Sequence, residues 1–185
     1  MKTHSKHGVP IYHVNAFTNE PFRGNPAAVC LFKKKPSDDL MQAIAAEMNL
    51  SETAFPLPMD VKGPKGTSVY SLRWFTPKVE VPMCGHATLA TAKVLFDEIG
   101  ISSKEIAFET KSGRLTARKE KSGILLDLPG EYPVPVAEPK LLLGALGITK
   151  VISVFYAKNR KNLMILLESE EDVKAVEPDF ERLKQ

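Results

Sequence analysis

Short apolar segments with strand-like alternation recur between residues 9 and 128, and this pattern constrains the fold more than any other feature of the chain. Alternation of side chains with a period of two is typical of β-strands, and turn residues separate the segments. We predict strands at residues 9–14, 27–32, 53–57, 68–75, 105–110, 115–119 and 124–128. This part of the chain is therefore predicted to be a strand-rich α+β unit.

Two segments with helical periodicity interrupt these strands. Ser37, with acidic residues directly after it, has the properties of a helix N-cap, and apolar residues then recur at helical spacing. Between residues 87 and 99 the apolar residues again keep the helical period, and Gly100 stands where a helix-terminating glycine is expected. We predict one helix from Ser37 to about Asn49 and a second, strongly apolar helix at residues 87–99.

A proline-rich segment at residues 129–139 marks the predicted boundary between structural units, either as a linker or as an extended crossing segment. Beyond it, short helices are predicted at residues 140–146 and from residue 169 onward, and strands are predicted at residues 150–157 and 162–167. These elements are too few to close a hydrophobic core, since folded units below about 40 to 60 residues are marginal. We therefore expect them to be the beginning of a second unit.

The charge and hydropathy of the chain exclude several classes of protein. The 25 basic and 22 acidic residues give a net charge of +3, and the cations are scattered, so we expect no nucleic-acid partner. No window approaches the roughly 18 consecutive apolar residues of a membrane helix, and the N-terminus does not resemble a secretory signal. We therefore expect no membrane partner and a cytoplasmic location.

The chain also lacks the common metal and nucleotide motifs. Cys30 and Cys84 occur in different contexts and form neither a disulfide framework nor a cysteine pair for zinc. His4 and His7 lie near the N-terminus without the supporting residues that a metal site needs. Glycine-rich phosphate loops, the zinc-protease motif and the serine-hydrolase motif are absent from the sequence. We therefore predict no bound metal.

Glu52 is the first residue with candidate chemistry. It follows the first predicted helix and precedes an apolar segment that ends at Phe55. A single glutamate in this position is commonly a solvated charge or a capping partner. If apolar neighbours bury it instead, the charged form is disfavoured and the carboxyl group becomes suited to general acid/base catalysis.

The second candidate is the tripeptide Cys84-Gly85-His86 before the second helix. A thiol at a helix N-terminus meets the positive end of the helix dipole and unpaired backbone amides, which favour the thiolate. The same amides can bind a substrate carboxylate. Alternatively, Cys84 is a small buried apolar residue and His86 an ordinary first-turn residue. In either case Gly85 lets a ligand or another backbone approach closely.

Several longer motifs occur in a characteristic order. They are FRGNPAAV at residues 22–29, NLSETAF at 49–55, RWFTP at 73–77, VPMCGHATLA at 81–90, FETKSGRL at 108–115 and PDF at 178–180. In this order they resemble the phenazine-biosynthesis (PhzF-like) isomerase family over nearly the whole chain. Several motifs in sequence are far more specific than any one of them.

The resemblance implies a diaminopimelate epimerase-like α+β fold. In this fold two pseudo-symmetric lobes each wrap a curved, mostly antiparallel sheet around a central helix, and the active site lies between the lobes. The helix at residues 87–99 would be the central helix of a complete first lobe at residues 1–128. Residues 129–185 would be a linker and the beginning of an incomplete second lobe, so the chain is expected to be truncated at its C-terminus.

Chemistry in the family is cofactor-independent proton transfer at carbon, as in isomerases and epimerases. The resemblance implies that Glu52 is the general acid/base and that His86 is the active-site histidine. Cys84 matches the position of a catalytic thiol in related epimerases and racemases, which makes it a further expected catalytic residue.

The expected substrate is a small carboxylated molecule whose carboxylate meets the first amides of the second helix. Asn25, Gly85 and Ala87 are the expected substrate-binding residues, and we expect no cofactor. The alternative hypothesis is a catalytically incomplete fragment or binding module. Such a module would form a homodimer or bind a second chain that completes the cleft.

Overall fold

The structure, a computed structural model, describes residues 8–20, 22–159 and 161–184, so His4 and His7 lie outside the described residues. It separates into two compact units, one ending at Pro129 and the other beginning at Gly130. Among the described residues, no helix is both long and apolar enough to cross a membrane.

An eight-stranded sheet forms most of the first unit. Its strands are β1 (Ile11–Ala16), β2 (Asn25–Cys30), β3 (Glu52–Lys62), β4 (Ser68–Phe75), β5 (Glu80–Val81), β6 (Glu105–Thr110), β7 (Gly113–Glu120) and β8 (Gly123–Asp127). The spatial order is β1-β2-β3-β4-β6-β7-β8, and β5 pairs with β4. Neighbouring strands are antiparallel except for the β2–β3 and β4–β6 pairs, which are parallel. The sheet is therefore mixed but mostly antiparallel, as predicted.

Two helices accompany this sheet, and both are confirmed close to their predicted positions. The first, α1, spans Asp38–Met48, and the Ser37 side chain accepts a hydrogen bond from the Leu40 N–H as a helix N-cap does. The second, α2, spans Gly85–Lys93 and continues as a π-helical turn over Val94–Glu98.

Helix α2 is the centre of the first unit. It packs against β2 and β3 and also against β1 and β8, which lie at opposite edges of the sheet. A sheet whose two edges contact the same helix is curled around it. The hydroxyls of Thr88 and Thr91 are buried, and each donates to the carbonyl four residues earlier, at 2.6 and 2.7 Å. The helix can therefore be enclosed by apolar residues without leaving these hydroxyls unpaired.

The hydrophobic core fills the space between α2 and the concave side of the sheet. Alanines on the helix allow a close approach of the strands, and large side chains from the sheet and the π-helical turn occupy the remaining volume. The largest of these, all nearly inaccessible to solvent, are Trp74, Phe108, Leu72, Leu95, Ile106 and Leu115.

Strand β3 is longer than its predicted extent of 53–57. It continues to Lys62 because it pairs with β4 as far as Pro58 and again at Lys62, with an irregularity between the two. The pairing partner comes from a distant part of the sequence, so local turn signals did not indicate this extension.

The second unit contains a three-stranded antiparallel sheet of order β11-β10-β9. Its elements are β9 (Val134–Pro135), α3 (Lys140–Ala145), β10 (Ser153–Ala157), β11 (Asn162–Leu166) and α4 (Glu170–Lys174), followed by a 3-10 turn at Arg182–Lys184. The proline-rich segment thus contributes a short strand in addition to connecting the two units.

The close packing of α2 leads to a stability prediction. Ala92 is fully buried in the core, so Ala92→Leu is expected to overpack it and lower the free energy of unfolding by about 1–3 kcal/mol. Glu98→Leu introduces the same side chain at an exposed position of the π-helical turn that continues α2 and is expected to change stability by no more than about 0.5 kcal/mol. Denaturant unfolding of both variants measures the difference, and equal stabilities would contradict an enclosed central helix.

Candidate active site

Glu52 is the first residue of β3, immediately beside the enclosed core. Helix α1 is capped at its C-terminus by Asn49 in a left-handed conformation (φ 50°), which turns the chain so that β3 begins three residues later. In the parallel pairing with β2, Glu52 stands opposite Ala27. The residues that follow it, up to Phe55, are buried. Of the two alternatives, the structure favours the carboxyl group held against apolar neighbours.

Cys84 is the N-cap residue of α2, and its sulfur contacts the backbone amides of His86 and Ala87 without the geometry of a well-formed capping hydrogen bond. The first turn of α2 also lacks acidic residues. The N-terminal amides of this helix are therefore not neutralised by a carboxylate from their own helix. This is the electrostatic setting in which a helix N-terminus attracts an anion.

The three predicted catalytic side chains meet at this helix terminus. The Nδ1 atom of His86 lies 3.3 Å from the Sγ atom of Cys84, and its Nε2 atom lies 3.3 Å from Oε2 of Glu52. The imidazole therefore stands between the thiol and the carboxylate. Only 19% of the Glu52 side chain and 9% of the His86 side chain are exposed to solvent, and Cys84 is buried.

Two polar atoms of this group keep unused hydrogen-bonding capacity. Oε2 of Glu52 and Nε2 of His86 are buried and close enough for an ion pair, but neither makes a hydrogen bond with good geometry. Most buried polar atoms in folded proteins are hydrogen bonded, and exceptions are common at functional sites. The pair is thus available to a ligand that reaches it.

Burial has the largest effect on the pKa of the Cys84 thiol. It raises the pKa of the thiol to about 12, and the nearby Glu52 carboxylate raises it further, while backbone amides of Ala87 and His86 act in the opposite direction. The expectation that the helix N-terminus would favour the thiolate is therefore wrong in this setting. The amides do favour it, but loss of solvent outweighs them, and Cys84 is a neutral thiol near pH 7.

The three predicted substrate-binding residues differ in their burial and in their contacts. Gly85 is half-buried, and a Cβ atom placed on it would lie in ordinary contact with Leu128, at 3.7 Å from Cδ1. Ala87 is fully buried in the core, so only its backbone is near the site, where its N–H contacts the Cys84 sulfur. Asn25 accepts a 3.4 Å hydrogen bond from the hydroxyl of Ser51, the residue before Glu52.

Arg73 is the centre of an ion-pair network that the sequence did not predict. Its guanidinium group donates two hydrogen bonds to Glu80, both at 2.7 Å, and two to Asp38, at 2.6 and 3.1 Å. These bonds hold the pKa of both carboxyl groups below their usual values. Lys111 also binds Glu80, and the Ser112 hydroxyl donates to the Pro82 carbonyl.

This network fixes the segment that leads into Cys84. It joins β4, α1 and the β6–β7 turn to the residues just before α2, so the helix terminus is held from several directions. A charged side chain within an otherwise apolar strand was the sequence signal that could have indicated such a role.

The raised thiol pKa predicts slow alkylation of the native protein. In a Cys30→Ala variant, where Cys84 is the only thiol, iodoacetamide at about pH 8 should react roughly a thousandfold more slowly than with the unfolded chain, because so little thiolate is present. The rate should increase with pH towards 12. Mass spectrometry of time points measures it, and rapid labelling of the folded protein at pH 8 would overturn the assignment.

Comparison with known proteins identifies a family that this chain matches. The model of the PhzC-PhzF family, described as phenazine biosynthesis-like protein, matches residues 14–185. An uncharacterized isomerase of Pseudomonas aeruginosa is 45% identical over 174 residues, covering 94% of this chain and 63% of the relative. The human phenazine biosynthesis-like domain-containing protein is 45% identical over 163 residues, covering 86% of this chain and 57% of the relative.

Solved structures agree with the sequence comparison. The crystal structure of a PhzF-family phenazine biosynthesis protein from Enterococcus faecalis superposes with a TM-score of 0.81 at 40% identity, covering 95% of this chain and 64% of that one. A structure described as a predicted epimerase from Pseudomonas aeruginosa shares the fold, with a TM-score of 0.68 at 20% identity. The fold is therefore α+β and diaminopimelate epimerase-like. The chain spans less than two thirds of the length of these relatives and belongs to the PhzC-PhzF family of phenazine biosynthesis-like proteins.

Proposed function

We propose that this chain carries the acid/base centre of an isomerase or epimerase that moves a proton on carbon without a cofactor. The observation that carries the proposal is the buried contact between Glu52 and His86, whose facing atoms lie 3.3 Å apart and keep unused hydrogen-bonding capacity. Relatives with this family assignment include proteins named as isomerases. They are longer than this chain, so the activity of the whole protein is part of the proposal.

The proposed substrate is a small molecule with a carboxylate group. Its carboxylate would bind the amides at the start of α2 in place of their contact with the Cys84 sulfur, and Gly85 has no side chain to prevent a close approach. This placement would bring the carbon next to the carboxylate towards Glu52. Removal of a proton from that carbon leaves negative charge on the carboxylate oxygens, and the helix amides are oriented to stabilise it.

Glu52 is the proposed general acid/base. Its carboxylate would accept the proton from the substrate carbon and return it to another face or another carbon, which gives an isomer with no net change in protons. His86 contacts the same carboxylate and would orient it. Cys84, as a neutral thiol beside His86, is the proposed second proton donor to the carbanion.

Replacement of the proposed base gives the direct test. Glu52→Gln keeps the size of the side chain but cannot accept the proton, so exchange of substrate protons in deuterated water should slow by roughly a hundred- to ten-thousandfold. A panel of amino and hydroxy acids serves as the probe, followed by NMR. Glu47→Gln, on the exposed surface of α1, is the matched control and should exchange at the parent rate.

The result can contradict the proposal in two ways. If Glu52→Gln exchanges as fast as the parent, Glu52 is not the base. If neither protein exchanges any member of the panel, this chain does not perform the proposed reaction on substrates of this class.

A second candidate function is that of an assembly module, and the sheet of the second unit favours it. Strand β11 pairs with β10 on one edge, and no strand pairs with its other edge within the described residues. Leu163, Met164 and Leu166 are 40, 51 and 46% exposed, and they lie on both faces of the strand. An apolar edge of this kind is a template for pairing with another chain.

This candidate predicts self-association that a single charge weakens. Light scattering should show a mass that increases with concentration for the parent, and Met164→Lys should shift the protein towards the monomer because a lysine on an edge strand opposes pairing. Val173→Lys adds the same charge at an exposed position on α4 and should associate like the parent. A parent protein that stays monomeric at all concentrations would exclude self-association through β11.

A further inference from the structure

We propose that an apolar cleft beside the C-terminal end of α2 is a second binding site, for a small molecule with an apolar body and one carboxylate group. The cleft lies within the first unit and is lined chiefly by Leu31, Phe32, Pro56, Pro58, Leu95 and Ile99. Its volume is about 510 Å³, in the range of small-molecule sites. The proposal goes beyond the acid/base function above and does not depend on it.

The cleft is separate from the acid/base centre. His86 lies in the first turn of α2, and Leu95 lies in the π-helical turn at the other end. Nine residues separate them, which corresponds to roughly 14 Å along the helix axis. A molecule in the cleft therefore does not touch Glu52 or His86.

Two prolines in β3 explain why the cleft is open. Strands β2 and β3 pair no further than Val29 and Ala54. Pro56 and Pro58 follow on β3, and both stay in register with β4. A proline has no N–H to donate, so neither residue can extend the ladder to β2. The two strands therefore separate beyond Ala54, and the cleft occupies the opening.

The lining of the cleft is mostly apolar. Leu31 and Phe32, which follow β2, line it together with the two prolines, and Leu95 and Ile99 line it from the helix side. Leu95 belongs to the π-helical turn, a rare conformation that occurs frequently at functional sites. Ile99 is 47% exposed, so a ligand that covers it buries apolar surface that the fold leaves in water.

The charge at the cleft selects the polar group of the ligand. Among the described residues that line it, Lys33 is the only one that is charged at neutral pH. Lys33 is exposed and forms no ion pair within the described part of the chain, and Lys34 and Lys35 follow it directly. A carboxylate meets this positive charge without displacing a protein carboxylate, whereas an ammonium group is repelled. An amphipathic carboxylate therefore fits the cleft better than a cationic amphiphile.

Octanoate is a suitable probe because it joins an alkyl chain to a single carboxylate. Calorimetric titration of the full chain with octanoate, below its micelle concentration, should show saturable binding of one molecule per chain. From hexanoate to decanoate, each added CH₂ group should tighten binding by roughly fourfold, the factor expected for its burial. Octylamine, with the same chain length and the opposite charge, should bind roughly tenfold more weakly.

Variants locate the bound molecule. Ile99→Glu puts a negative charge at the cleft and should weaken octanoate binding roughly tenfold or more. Leu141→Glu makes the same kind of change at an exposed position of α3 and should bind octanoate like the parent. Lys33→Gln should weaken octanoate binding by roughly two- to fivefold and should not weaken octylamine binding. Lys34→Gln, at the next position, should have a smaller effect on octanoate.

The outcomes either support the site or overturn it. Fluorescence of Trp74, the single tryptophan and a buried one, reports whether each variant is folded. Saturable octanoate binding that depends on chain length, Ile99 and Lys33 supports the proposal. Absence of saturable binding to the parent, equal binding of octylamine, or undiminished octanoate binding to folded Ile99→Glu overturns it.

Light scattering covers the alternative occupant, a second copy of this chain. If octanoate does not bind and the mass decreases in Ile99→Glu but not in Leu141→Glu, the cleft is a contact between copies and the proposal is overturned. None of these readouts measures proton exchange, so failure of the cleft site and failure of the acid/base proposal are distinguishable.

Discussion

Enclosure of helix α2 by the sheet is the constraint on which the rest of the first unit depends. A helix that contacts both edges of a curled sheet is largely buried, so most of its buried residues must be small or must form their hydrogen bonds within the helix. The alanines and the two threonines that bond back to their own helix meet this requirement. The same enclosure leaves the N-terminal end of the helix as the place where its unpaired amides meet other groups, and Cys84 and Glu52 lie at that place.

Two opposing effects determine the ionisation of the Cys84 thiol: the electric field of the helix N-terminus and the loss of contact with solvent. A helix N-terminus favours negative charge by a modest amount, whereas burial of a thiolate among apolar groups costs far more. For Cys84 the balance favours the neutral thiol. The thiol beside His86 therefore keeps its proton near neutral pH.

Sequence patterns predicted correctly those elements whose structure depends on residues adjacent in sequence. The N-cap at Ser37 and the left-handed glycine at 100 (φ 74°) are properties of a few adjacent residues, and both helices were predicted correctly from them. The length of β3, the strand at Val134–Pro135 and the pKa of Cys84 depend on residues distant in sequence. Motif order indicated which residues would meet at the site, but the position of the imidazole between thiol and carboxylate required the folded structure.

The anchoring of the Cys84 segment explains how the site can keep unpaired buried atoms. Leaving a buried polar atom without a partner costs about 1–3 kcal/mol, so a mobile segment would relax to pair it. Arg73, held by Glu80 and Asp38, and Ser112, bonded to the Pro82 carbonyl, restrict such relaxation just before α2. The ion-pair network thus stabilises a strand pairing and a helix terminus at the same time. Glu52 and His86 therefore stay 3.3 Å apart in the folded protein with hydrogen-bonding capacity unused.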